Sequence, residues 1–293
     1  MFRICVVCGA LLLGHAASSA ASASLFAAGR LAAGRLVVAG QQAQAESVLH
    51  YDSSAELQLL QFANQSRAKA GAPPLKLDAG LTQAARVHAQ AMVDARQLSH
   101  QFEGEPSLPQ RLAAATKLNL ERSGENVALD SGAGPAHQHL MLSPPHRENL
   151  LNPTYNVVGM GVIRSGEYLY IVQDFGQALA SYSAAEVKDR IAAAVVQARR
   201  EAKRTDLQQL DLAAANEAAC STAQADTLST SAVHQLALRY TVIAYNSLRP
   251  ETLPESALRA LSGASLRNFS LAVCFARTPT YPTGAYWIVL LLN

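Results

Sequence analysis

A chain of 293 residues is long enough for about two domains. Apolar residues make up 49% of it and charged residues only 16%, so real cores are available beneath a sparsely charged surface. The formal charge is +2, from 24 basic and 22 acidic residues with no basic block, which argues against a nucleic-acid partner.

The opening "MFRICVVCGALLLGHAASSAASA" has one early Arg, an apolar run from Ile4 to Leu13, and then small residues. This predicts a secretory signal over residues 1–23, with an apolar part too short to cross a bilayer. No later stretch is apolar for long enough to span. The expected location is therefore secreted or periplasmic, at the cell envelope, with no transmembrane span in the mature chain. Cys5 and Cys8 fall within the signal. Cys220 and Cys274 remain and predict one disulfide, with two buried thiols as the alternative. No Cys/His cluster is present for a structural zinc site.

Residues 24–53 are rich in Ala, Gly, Gln and Ser and read as a leader segment. A first domain is expected over 54–176. Its first helix is "SAELQLLQFANQSRAKAG", stopped by Gly71 and Pro73. Asp78 caps a second helix running to about Leu98, with Leu81, Ala84, Ala85, His88 and Met92 on one face. His100 then lies just past its last turn. "PSLPQRLAAATKL" predicts a third helix. "GAGPAHQHLMLSPPHRENLLNP" predicts two short helices split by Pro144 and Pro145, which places His146 near a helix start. "YNVVGMGVI" and "EYLYIVQDFG", separated by "RSG", predict a β-hairpin.

The rest of the chain, 183–293, echoes the first part. "QSRAKAGAPPLKLDAGLTQAA" at Gln65 has a counterpart in "QARREAKRTDLQQLDLAAANEAA" at Gln197. "NVVGMGVIRSGEYLYIVQDFG" matches "FSLAVCFARTPTYPTGAYWIVLLLN" in its order of apolar strand, turn and aromatic-led apolar strand. This is a degenerate internal repeat. Nothing like "GEN" or "PPHR" lies between its ends, so its expected role is architectural or recognitional. Cys220 would join its long helix to its penultimate strand through Cys274.

In order, "LLQFANQSRAKAGAPPLKLD", "AARVHAQAM", "LSH", "GEN", "LSPPHRENLLNP", "VGMGV" and "VQDFG" resemble the CAP domain. This is the superfamily of cysteine-rich secretory proteins, antigen 5 and pathogenesis-related 1, and the likeness is to its bacterial secreted branch. The resemblance implies an α+β fold: a three-layer α-β-α sandwich with a mostly antiparallel sheet. The repeat resembles a worn CAP half-domain, a second degenerate CAP-like α/β unit without cleft residues. By the same resemblance His100, Glu125 and His146 match three of four cleft positions. The fourth, Glu in many members, falls near Ser143. The Trp usual before the Ser-Pro-Gly-His-Arg run is Leu140 here, and the Gly of that run is Pro145.

Two imidazoles and one carboxylate suit a divalent ion such as Zn²⁺, with a fourth position for water. His100, Glu125 and His146 are therefore candidate metal ligands. Their separations of 25 and 21 residues lack the close pair of a His-Glu-x-x-His helix, so only the tertiary fold could gather them. No Gly-x-Ser-x-Gly elbow supplies a nucleophile, and Ser99 and Ser143 read as caps. Each candidate also has a plain structural role. His100 could bond the last carbonyls of its helix, and Glu125 could accept donors in a tight turn after Gly124. His146 at a helix start is disfavoured as a cation. Asn126, Ser143, Arg147, Gln173 and Asp174 are supporting candidates. His88 reads as core or groove lining, His137 and His139 as neighbours, and His234 as structural.

Three functions fit these residues. The leading one is an extracytoplasmic binding module whose cleft takes a small apolar molecule, a protein or an envelope polymer. The others are a metal-dependent hydrolase of peptide or cell-wall material, and a scaffold with a vestigial cleft. Whether the protein is an enzyme is left open by these residues.

Overall fold

A computed structural model describes residues 51–293 of the chain. The signal over 1–23 and the leader over 24–50 lie outside the described residues. Helix α1 (Ser53–Lys69) starts where the Asp52 carboxylate accepts from the Ala55 amide. A two-residue strand β1 (Lys76–Leu77) follows, and then α2 (Ala79–Ala95), capped by Asp78 through the Leu81 amide. Helix α2 ends three residues earlier than its apolar pattern suggests. Arg96 turns left-handed there, with φ 51°, and its amide closes on Met92 and Val93. Next come α3 (Leu108–Ala115), β2 (Leu120–Asp130), α4 (Ala133–Leu142), α5 (Pro144–Leu151), β3 (Val157–Ser165) and β4 (Tyr168–Ala178).

The four strands form one sheet in the order β1-β3-β4-β2, parallel only between β1 and β3. Helices α1, α4 and α5 cover one face around Leu59, Leu140, Leu150 and Phe175. Helices α2 and α3 cover the other around Leu81, Met92 and Leu112. The "VGMGV" motif has a steric cause. A Cβ on Gly159 would lie 2.1 Å from the Leu81 carbonyl carbon, and one on Gly161 2.3 Å from that of Ala85. Helix α2 therefore rests directly on the β3 backbone.

The second half repeats this plan. Helix α6 (Ala184–Glu201) is followed by β5 (Gln208–Leu210), α7 (Ala213–Gln224), α8 (Ser231–Ala237), β6 (Thr241–Ser247), α9 (Glu255–Leu261), β7 (Asn268–Ala276) and β8 (Ala285–Leu292). The sheet order β5-β7-β8-β6 has the same pattern of parallel and antiparallel pairs. Ser270 and Ala272 stand in register where β3 has Gly159 and Gly161. One buried arginine marks the kinship further. Arg67 donates to the carbonyls of Pro73, Leu150, Asn152 and Tyr155 at 2.7–2.9 Å. Arg199 donates to Thr205, Leu261 and Gly263 at 2.6–2.9 Å. In both copies a planar, permanently charged guanidinium ties the end of the first helix to the helix before the third strand. Cys220 in α7 and Cys274 in β7 form the disulfide. Both sheets belong to one compact unit, Val48–Asn293.

Candidate functional site

Glu125 and Asn126 do not sit in a tight turn. They lie in the middle of β2, where Glu125 is paired with Asp174 and Asn126 with Gln173 on β4. Successive strand residues face opposite ways, so the two pairs serve opposite faces of the sheet. Glu125 and Asp174 face α2 and α3; Asn126 and Gln173 face α5.

On the first face Glu125 is buried, and both its oxygens are committed. Oε1 accepts from His100 Nδ1 at 2.8 Å, and Oε2 accepts from the Arg111 guanidinium. Arg111 is itself buried on α3, where it shares the inward stripe with Leu108 and Leu112. It also donates to the His100 carbonyl at 3.2 Å and lies 3.5 Å from Glu105 Oε1. His88, without exposed surface, places Nδ1 2.6 Å from Glu105 Oε1 and Nε2 2.8 Å from the Ser99 carbonyl. Glu105 Oε2 accepts from the Phe102 amide at 3.0 Å. The segment from Arg96 to Ser107 is thus held by ion pairs at its base, while the His100 side chain stays 60% exposed at its tip. With Nδ1 committed to Glu125, Nε2 is the edge that His100 offers to solvent.

On the second face Asn126 donates to the His146 carbonyl at 3.1 Å and to Gln173 Oε1 at 3.2 Å. It accepts from Asn149 Nδ2 at 3.0 Å, and Asn149 donates also to the Glu125 carbonyl at 3.1 Å. These bonds fix the start of α5 against β2 and so place His146, whose Nδ1 lies 2.9 Å from Ser143 Oγ. Burial, and then the charge of His100, push His146 below the ordinary imidazole range. A neutral ring there also avoids opposing the helix dipole. The exposed Arg147 reaches only the Met141 carbonyl, at 3.5 Å.

Asp174 is the least comfortable group. It is fully buried, and neither oxygen has a hydrogen-bond partner among the described residues. Burial first, and then neighbouring Glu125, push its carboxyl well above the usual range, against the opposing pull of Arg111. Both causes favour the neutral acid over the carboxylate. Among the described residues Gln173 Nε2 is also without a partner.

The three candidate metal ligands are not gathered as one ready-made set. Glu125 is already engaged at both oxygens, one by His100 and the other by Arg111, so a metal there would compete with those bonds. Among the described residues no group of three or more His, Cys, Asp or Glu side chains could hold a metal ion. The Glu125 carboxylate holds His100 through Nδ1, which leaves Nε2 of His100 and Nε2 of His146 as imidazole nitrogens without that engagement. Three histidines lie elsewhere: His137 bonds Ser66 at 2.8 Å, His139 Asp130 at 2.6 Å, and His234 Ser229 at 3.0 Å.

Residues 60–175 match the family model described as CAP, cysteine-rich secretory protein family. This segment is a CAP domain. Over 117 residues it is 31% identical to the uncharacterized protein YkwD of Bacillus subtilis, a match covering 39% of this chain and 44% of that protein. Over 124 residues it is 32% identical to the uncharacterized membrane protein YlbC of the same organism, covering 42% of this chain and 34% of that one. The chain therefore spans less than half the length of either relative. A solved extracellular protein containing a SCP domain, from Bacillus anthracis, is 28% identical, with a TM-score of 0.38, covering 43% of this chain and 41% of that one.

Within the CAP domain, Ser143 occupies the position where the resemblance expects a carboxylate, and it bonds His146. Behind Arg111 the domain has a groove of about 340 Å³ walled by Ala84, Val87, Pro106, Ala114 and Ala115, with Glu105 and Arg111 in its lining. The second lobe meets the CAP domain at the end of α3 and the start of β2.

Pattern in the sequence did not single out Arg111, Glu105 or Asn149. A usable signal existed for Arg111 alone: it is the one charged residue on the inward stripe of α3.

Proposed function

We propose that this is an exported protein whose CAP domain acts as an extracytoplasmic binding module, with His100 and His146 as the contact groups and Glu125 as the residue that orients His100. One observation carries the reading. The second lobe builds the same sheet with an apolar layer at the equivalent positions. By strand register Glu125 and Asp174 correspond to Val242 and Leu291, and Asn126 and Gln173 to Ile243 and Leu290. The fold therefore forms without buried ionic and amide groups at these sites. Burying them is costly: breaking such a pair typically loses about 3–5 kcal/mol, whereas apolar replacement is often neutral. Their presence in the first lobe alone is accounted for by use rather than by folding.

In its neutral form, an imidazole whose Nδ1–H donates to a carboxylate presents Nε2 as a lone pair. Its ligand offers a hydroxyl or amide N–H donor, or a cation. Lipid headgroups, protein segments and envelope polymers all carry such donors, and the apolar groove beside Arg111 suits a ligand with an apolar part. A hydrolase is less well supported, because both Glu125 oxygens already accept hydrogen bonds, from His100 and from Arg111.

Calorimetric titration with Zn²⁺, used as a probe of the two imidazoles, tests the reading. Heat is expected from the wild type and not from the His100→Ala/His146→Ala variant. Equal heats from both would refute these histidines as the contact groups.

A further inference from the structure

The two lobes close the same hairpin with loops of very different length. In the first, the register pair Ser165↔Tyr168 is joined by Gly166 and Glu167 alone. In the second, Ala276↔Ala285 is joined by the eight residues 277–284. The hairpin itself does not require that length.

The long loop is stiff. It contains Pro279 and Pro282. Asp226 accepts from the Thr280 amide at 3.0 Å and from its hydroxyl at 2.8 Å. The amides of Thr278 and Gly284 both donate to the Tyr281 carbonyl, at 3.1 and 2.9 Å. The Tyr281 hydroxyl donates to Asn246 at 2.9 Å, and Gly284 takes a φ of 103°.

Both ends of this loop grip the CAP domain where its buried charges are mounted. Arg277 donates to the carbonyls of Ala113 and Thr116, at 2.6 and 2.8 Å, at the C-terminal end of α3. A guanidinium there satisfies carbonyls that the helix leaves open and meets the negative end of its dipole. The buried Thr283 hydroxyl donates to the Leu120 carbonyl at 3.1 Å and accepts from the Leu120 amide at 3.2 Å, at the first residue of β2. Beside them Arg249 pairs with Glu121 at 2.6 Å. Arg111 lies on α3 just before the first grip, and Glu125 on β2 just after the second.

We propose that residues 277–284 are a brace through which the second lobe sets the positions of α3 and β2, and with them the Arg111–Glu125 pair. Arg277 and Thr283 are its positioning residues. The copy that lacks cleft residues thereby acquires a role, since it holds the two elements whose buried charges orient His100. The functional consequence rests on the binding reading above, but the mechanical part does not.

Amide hydrogen exchange on the full chain tests it, with Arg277→Ala/Thr283→Val and with a chain in which 277–284 is replaced by Gly-Glu, as in the first hairpin. Arg259→Ala, which removes an exposed pair inside α9, is the control. Amides of 108–126 are expected to exchange about tenfold faster in both brace variants. Those of β3, β7 and β8 should be unchanged, and the His100 imidazole resonance should shift. Unchanged exchange over 108–126 overturns the brace. So does uniformly faster exchange, which would mean general loss of stability. If the loop replacement fails to fold, the double point variant decides. Exchange needs no ligand, so this test and the zinc titration fail independently.

Discussion

Arg111→Met separates a buried charge pair from its partner and so measures what holds Glu125 in place. The side chains of Arg111 and Glu125 are 6% and 4% exposed, so solvent screens the pair little. Met keeps most of the volume but leaves the Glu125 carboxylate with His100 and, at 3.9 Å, His88, beside the buried Asp174. Removing one partner of a buried pair costs about 3–5 kcal/mol. For a unit of this size each kcal/mol lowers Tm by about 2–4 °C, so a fall of about 6–20 °C is expected. The double variant Arg111→Met/Glu125→Gln removes the stranded charge and should recover a large part of that loss. Thermal and urea unfolding of the wild type, both single variants and the double variant give the coupling. A loss below about 1 kcal/mol for Arg111→Met, or a Glu125→Gln change that adds further loss in its background, would refute the buried ion-pair account.

Three further outcomes follow from the same geometry. The folded Asp174 carboxyl is raised by burial and by Glu125, so the stability tied to its protonated form is full below the unfolded carboxyl pKa and falls as pH climbs toward the folded value. Asp174→Asn should therefore match the wild type in acid and exceed it at higher pH in urea unfolding; a constant difference across pH would contradict the neutral acid. His146 should titrate below the ordinary imidazole range by NMR. His100→Ala should raise it only part way, since burial is the larger cause; complete recovery, or none, would show that the causes are wrongly ranked. Cys220→Ala/Cys274→Ala opens a cross-link between residues 54 apart and should cost about 2–4 kcal/mol, with two free thiols appearing on reduction of the wild type; an unchanged Tm would mean that the bond adds nothing to folding.

Local pattern was enough for much of this molecule. The helix stripe from Leu81 to Met92 places His100 just beyond a helix end, and Pro144 and Pro145 place His146 at a helix start. Two cysteines in the repeat were enough to anticipate their bond. These features depend on neighbours a few residues apart, and the chain writes them as period, cap and turn. Strand β2 escaped that reading because it does not alternate: Glu125 and Asn126 are both buried, each facing polar partners on its own side of the sheet. Likewise no spacing links Arg111 to Glu125, Asp174 to Glu125, or Arg277 to Ala113. Such contacts join chemically matched groups far apart in the chain, and their cost or benefit exists only once water has been excluded around them. The residues of the site were therefore present in the sequence as names, while their assignments as orienting carboxylate, neutral acid and exposed imidazole came from burial and register in the folded sheet.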